Sequence, residues 1–214
     1  MSQLRITEIF HSLQGEAATA GLPTAFVRLT GCPLRCLYCD TAYAFSGGEL
    51  MGLDDILQKI SSRKVRHVTV TGGEPLAQPD CLGLLKVLCD TGYQVSLETS
   101  GAMDIIGVDE RVSVVLDLKT PGSGESSRNL YGNVSQLKPI DQVKFVICNR
   151  EDYEWARFKV EEYALRDKVA ELLFSASHAE LESSQLAQWI LEDELDVRLQ
   201  IQLHKYLWGD KPGV

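Results

Sequence analysis

The sequence predicts an α/β fold, a partial, open TIM-like barrel in which parallel strands are covered by helices. Three observations carry that prediction. Apolar, β-rich runs alternate along the chain with helical stretches, the pattern of a parallel sheet. Polar or glycine-bearing segments follow the strands, where α/β folds place their chemistry. The βα units are too few to close an eight-fold barrel. The 214 residues are enough for one domain, 1–214, and no repeat, low-complexity tract or composition shift marks a boundary.

In chain order, Leu4–Phe10 alternates apolar and polar residues and reads as a first strand, followed by the polar segment His11–Glu16. Thr24–Leu29 is a second strand, running into a cysteine-rich loop, Gly31–Thr41. Ser46–Gly52 reads as a glycine-rich connection. Leu53–Ile60 carries Leu53, Ile56, Leu57 and Ile60 at helical spacing. His67–Val70 is a short buried strand leading into Thr71–Pro75. Asp80–Thr91 is a helix with Leu82, Leu85 and Leu88 inward and Gly92 as its stop. Strands follow at Gln94–Leu97, before Glu98–Gly101, and at Val112–Leu116, before Asp117–Pro121. Gly122–Lys138 is an irregular loop. Gln142–Cys148 is a strong strand, Glu151–Leu165 a helix, and Glu171–Phe174 a strand leading into Ser175–His178. Ser184–Leu191 is a helix, and Val197–Leu203 a final strand ending in His204.

Charge and composition exclude several roles. A net charge of −9 has the wrong sign for a surface that neutralises phosphates, so no nucleic acid is expected as a partner. No apolar run approaches the ~20 residues of a membrane span, so no membrane is expected either. The start, MSQLRITEIF, lacks the features of a signal peptide, which points to the cytoplasm. There the six cysteines would stay reduced. Cys81, Cys89 and Cys148 lie in apolar or helical contexts and read as small buried hydrophobes.

The loop GCPLRCLYCDT places Cys32, Cys36 and Cys39 in a C-x3-C-x2-C array. Thiolates this close together are expected to converge on one point and hold a metal, with an iron–sulfur cluster the leading case. Three ligands leave one position open, as at a catalytic metal site. A structural zinc would need a fourth protein ligand. No second cysteine pair is present, and the four histidines are scattered. In TGGEP, Gly72 and Gly73 would allow a ligand close to the backbone, and Glu74 could accept from an ammonium. No phosphate loop is present. Arg28 lies in an apolar strand, where a buried cation needs an anionic partner. A substrate carboxylate would satisfy it.

The cysteine array, with Tyr38 before its last cysteine, and the GGEP segment resemble the radical S-adenosylmethionine (SAM) enzymes. That resemblance implies a barrel of the radical SAM type, a [4Fe–4S] cluster on Cys32, Cys36 and Cys39, and SAM chelating the open iron. One electron then cleaves the sulfonium to a hydrogen-abstracting radical. It further implies SAM contacts at Tyr38, Gly73, Glu74, Glu98, Ser100, Asp117, Leu118 and Lys119, with Ser175–His178 bordering the adenine. SLQGE, the Arg28 strand, Asp40–Thr41 and QLHKYLWG narrow the likeness to the 7-carboxy-7-deazaguanine synthase family. It covers nearly the full length.

By position, the likeness implies a carboxylated pterin substrate held by Leu13, Gln14, Gly15, Glu16, Arg28, Thr71 and His204. It also implies Mg²⁺ on Thr41, an electron donor of flavodoxin or ferredoxin type, and a homodimer. The chain departs from some family members by continuing through Trp208–Val214. Two alternatives stay open on the sequence: an activating enzyme for a glycyl-radical partner protein, and a non-enzymatic iron–sulfur or zinc protein.

Overall fold

The computed structural model describes residues 2–178, 180–209, 211 and 213. Nine strands form one sheet in the order β3-β1-β2-β4-β5-β6-β7-β8-β9, which is not closed between β3 and β9. They span Gln3–Leu13 (β1), Pro23–Leu29 (β2), Glu49–Gly52 (β3), His67–Gly72 (β4), Gln94–Thr99 (β5), Ser113–Asp117 (β6), Gln142–Ile147 (β7), Glu171–Ala176 (β8) and Arg198–Gln200 (β9). From β2 onward every neighbouring pair is parallel, as the alternating βα pattern predicts. The open, partial barrel is therefore the observed architecture.

Helices cover the outer face. They are α1 (Leu53–Ser61), α2 (Cys81–Asp90), α3 (Arg150–Glu162) and α4 (Ser183–Glu192); a short α5 (Leu203–Trp208) instead starts against Gly15, whose O accepts from Leu203 N, and buries no residue of its own. Ile56 and Ile60 of α1, Leu84, Leu85 and Leu88 of α2, and Tyr153, Ala156 and Val160 of α3 are buried against the sheet. Gly92 takes a positive φ of 93° just past α2, the left-handed stop that glycine allows there. Tyr153 packs edge-on to Phe174, and Phe174 to Phe145, with centroids 5.9 and 5.4 Å apart. Cys81, Cys89 and Cys148 are buried, as expected.

The structure corrects the sequence reading at both ends of the chain. The sheet is not wholly parallel, since β1 pairs antiparallel with both β2 and β3. The segment read as a glycine-rich connection contains β3, an edge strand recruited by β1 rather than by its own composition. β1 also runs on through His11–Leu13, which carries the polar segment onto the sheet. The last strand is shorter than Val197–Leu203. After Gln200 the chain turns into α5, and Lys205 N and Tyr206 N bond back to Gln202 O at 3.0 and 3.3 Å. Apolar–polar alternation in VRLQIQL fits a strand, but the local backbone bonds decide otherwise. The segment 122–138 forms short 3-10 turns and docks beside the cysteine loop.

Asp141 stitches the bottom of the sheet. It is fully buried and accepts from Val114 N at 2.8 Å, Lys138 N at 2.8 Å and Lys138 Nζ at 2.9 Å. Replacing it strands two backbone donors. Asp141→Ala is expected to cost roughly 2–3 kcal/mol in denaturant unfolding while leaving the secondary structure intact by circular dichroism.

Candidate active site

A cavity of about 470 Å³ opens at the carboxyl ends of the parallel strands. Strand ends build it: Arg28 ends near the mouth on β2, Thr71 on β4, Glu98 on β5, Asp117 on β6 and Ser175 on β8. A strand places a side chain more firmly than a loop does.

The cysteine loop forms one wall, with Cys32, Cys36, Tyr38, Cys39 and Thr41 all lining the cavity. Leu34, 1% exposed, plugs the loop into the protein, while Leu37, 79% exposed, faces out. Arg35 donates to Cys32 O and Leu34 O at 2.8 and 2.6 Å. From outside, Arg35 N bonds Glu125 and Leu37 N bonds Ser123 O, at 2.6 and 3.0 Å. The three thiols are free. Among the described residues no group of three or more His, Cys, Asp or Glu side chains is arranged to hold a single metal ion. Burial raises the Cys32 thiol and pushes Cys36 up to about 11, against the opposing charge of Lys119.

The glycines of TGGEP serve this loop. A Cβ at Gly73 would lie 2.3 Å from Gly31 O and 2.7 Å from Cys32 Cβ, and one at Gly72 would lie 2.3 Å from Leu29 O. The close approach is to protein backbone, although both glycines also line the cavity. Glu74 does not line it. Its fully buried carboxylate accepts from Leu76 N, Thr99 Oγ1, Ser100 N and Ser100 Oγ, the last two at 2.7 and 2.5 Å. Leu118 is likewise enclosed, with its side chain in the core.

Farther round, Lys119 Nζ bonds Asp117 Oδ2 at 2.9 Å. Burial works against the Lys119 charge, but Asp117 and the neighbouring thiols hold its proton more firmly than usual. Asp117 Oδ1 and the Tyr38 hydroxyl are buried without a partner among the described residues. Glu98 receives only long bonds, 3.4 Å each, from Gln14 Nε2 and Thr71 Oγ1. Burial and then the Glu16 charge raise its pKa.

On the other side, Arg28 Nε donates to Glu8 Oε1 at 2.7 Å, and Tyr43 OH donates to the same oxygen. The guanidinium sits 5.8 and 5.9 Å from the Phe10 and Tyr43 ring centroids. Neither Nη bonds a described residue. Gln14 Nε2 donates to Thr69 Oγ1 at 3.1 Å. Gly15 lies under His204, where a Cβ would meet Nδ1 at 2.1 Å, and Gly15 O accepts from Leu203 N at 2.9 Å. Burial lowers the His204 pKa. Thr41 Oγ1 donates to Asp40 Oδ1 at 2.7 Å, and Lys205 Nζ lies 3.7 Å from Asp40 Oδ2. Leu13, Glu16 and His178 also line the cavity.

The sequence reading missed Glu8, Thr99 and Lys144. Lys144 had a visible signal, a lysine in the middle of the apolar run QVKFVIC. Glu8 and Thr99 had none beyond alternation on their strands.

Residues 26–122 match the model of the Radical SAM superfamily. The chain is 42% identical to the 7-carboxy-7-deazaguanine synthase of Koribacter versatilis, covering 96% of this chain and 97% of that protein. It is also 42% identical to the synthase of the same name from Chlorobaculum tepidum, over 99% and 97%. In three dimensions it is similar to the crystal structure of QueE from Escherichia coli, with TM-score 0.77, 24% identity and 94% of each chain covered. That last likeness bears on the fold.

The contact between Gly73 and the cysteine loop leads to one prediction. Gly73→Ala must push Gly31 and Cys32 away, so iron incorporated on anaerobic reconstitution should fall several-fold while the protein still unfolds cooperatively. Wild-type iron content in that variant would refute the constraint.

Proposed function

The chain belongs to the 7-carboxy-7-deazaguanine synthase family of radical SAM enzymes, lyases of 7-deazapurine biosynthesis, and from that premise we propose its substrate and the roles of its residues. The substrate is 6-carboxy-5,6,7,8-tetrahydropterin, converted to 7-carboxy-7-deazaguanine with loss of ammonia by radical ring contraction. The observation that carries this reading is a single cavity, lined by the three cysteines and also by Gln14, Gly15, Arg28 and Thr71.

Membership implies a [4Fe–4S] cluster and SAM. The donor set fits both. Cys32, Cys36 and Cys39 would hold the cluster, whose metal displaces the thiol protons that burial retains. Asp117 Oδ1 and the Tyr38 hydroxyl, both unpartnered, would meet the polar groups of SAM, beside Lys119 and the Leu118 backbone. Gly73 would offer its backbone. Glu74 would act by fixing Ser100, since its own oxygens are already taken. Bound together, cluster and SAM supply hydrogen abstraction from an unactivated carbon, which no side chain provides.

Protein groups would then orient the pterin. Arg28 keeps both Nη groups for a carboxylate, while Glu8 and the rings of Phe10 and Tyr43 fix its plane. Gln14, Gly15, Thr71 and His204 would contact the ring system, with Leu13, Glu16 and Glu98 nearby. Thr41, next to the Asp40 carboxylate, offers oxygen ligands suited to Mg²⁺ that also touches substrate.

No helix among the described residues is long and apolar enough to cross a membrane. Six free cysteines agree with the reducing cytoplasm. We assign the electron donor to the flavodoxin or ferredoxin type. A homodimer is supported by exposed Leu199, Ile201, Tyr206 and Trp208 at the β9–α5 edge. The glycyl-radical activase and the non-enzymatic alternatives are not favoured, since the close relatives are synthases.

Anaerobic reconstitution tests the reading. About four irons per chain, a cluster spectrum that changes on adding SAM, and turnover of the pterin without a protein partner are expected. One zinc per chain, or no SAM effect, would overturn it. Cys36→Ala should abolish cluster and turnover. Thr41→Ala should keep SAM binding but slow turnover and weaken its Mg²⁺ dependence, and wild-type behaviour would remove Thr41 from the metal.

A further inference from the structure

We propose that Lys144 is a positioning residue for substrate: it fixes the Glu16 carboxylate so that Oε1 accepts from the 2-amino-4-oxopyrimidine edge of the pterin. This rests on the function proposed above and assigns a role to a residue outside the expected site.

β7 sorts its side chains by alternation. Val143, Phe145 and Ile147 enter the core, while Lys144 and Val146 line the cavity. Lys144 is 9% exposed, in register with Asp117 of β6 on one side and Leu173 of β8 on the other. Its Nζ donates to Glu16 Oε2 at 2.5 Å. Glu16 is 8% exposed, yet Oε1 has no partner among the described residues. A buried carboxylate oxygen without a donor is costly, so it marks a place where a ligand supplies one.

The chemistry of that ligand follows from the lysine. With Oε2 taken by the Lys144 ammonium, Oε1 is left to the cavity as a carboxylate acceptor. Burial weakens the Lys144 charge, but Glu16, Asp117 and Glu98 together outweigh it, and its proton is held firmly. Oε1 therefore selects N–H donors. The amino group and ring N–H of a 2-amino-4-oxopyrimidine are adjacent donors of that kind. Gln14 steadies the arrangement from the backbone side, its Oε1 accepting from Glu16 N at 3.3 Å. Arg28 would take the carboxylate and Glu16 the donor edge, so the substrate has one productive direction.

The test uses reconstituted holoenzyme with SAM and unreactive pterin-6-carboxylate as the binding probe, read by anaerobic calorimetry. Lys144→Met is expected to weaken pterin binding roughly ten-fold or more, with SAM affinity within about two-fold of wild type. Turnover should show the loss in KM more than in kcat, and Lys144→Arg should recover part of it. Glu16→Gln should weaken binding similarly, and the double variant should be no worse than Glu16→Gln alone, because the two act as one unit.

If Lys144→Met alone does not fold, because it leaves Glu16 buried and unpaired, the comparison of Glu16→Gln with the double variant decides. A further ten-fold loss in the double overturns the proposal. So does unchanged pterin binding in Lys144→Met, or equal loss of pterin and SAM. Wild-type protein that binds pterin without turning over the reduced substrate overturns the function and spares this inference. Normal turnover with an unaffected Lys144→Met does the reverse, and wild-type protein that binds no pterin overturns both.

Discussion

The mouth of this barrel depends on one backbone contact, between the turn after β4 and the start of the cysteine loop. Glu74 N donates to Gly31 O at 2.8 Å and Gly73 N to Leu29 O at 3.3 Å. The chains pass so closely that no Cβ fits at Gly72 or Gly73. From there Glu74 turns inward and takes up Thr99 and Ser100 at the end of β5. One turn thus ties together the ends of β2, β4 and β5. The position of the three cysteines relative to the strand ends is fixed by packing rather than left to a mobile loop.

The second constraint is charge. Asp117 with Lys119, Glu16 with Lys144, and Glu8 with Arg28 place ion pairs inside or at the edge of the cavity. Desolvation offsets much of the Coulomb attraction in such pairs, so their net stabilisation is small. Their effect is directional. In the two lysine pairs one carboxylate oxygen is held and the other is left over. Glu98 is the contrast. It has no lysine bonded to it, only two long bonds from neutral groups, and its pKa rises.

Much of the parallel core was legible because local signals agreed with the tertiary outcome. His67–Val70, Gln94–Leu97 and Gln142–Cys148 fall on observed strands, and Gly92 ends α2 as read. Cysteine spacing and the GGEP turn located the cavity. The failures came where long-range pairing decides. β3 is a strand because β1 offers it an edge, and Leu203 leaves the sheet because Gly15 O receives its N–H. The surroundings of Glu74 were hidden for a similar reason. Its partners, Thr99 and Ser100, lie 25 and 26 residues away, and only the fold brings them to its oxygens.

The loop after β1 ties distant parts of the open sheet together. Between Gln14 and Gly21 it reaches across the interior: Glu16 bonds Lys144, Ala18 N donates to Gln142 Oε1 at 2.8 Å, and Gly15 O holds the start of α5. A chain end, a loop and β7 therefore meet at the cavity. Of the residues that would read the pterin, Gln14, Gly15 and Glu16 sit on this bridge, while Arg28 and Thr71 reach the cavity from β2 and β4; those that would hold cluster and SAM sit on β4, β5, β6 and the cysteine loop. None of the residues assigned to cluster or SAM lies on the bridge, so substrate preference can change through it while the radical chemistry keeps its setting.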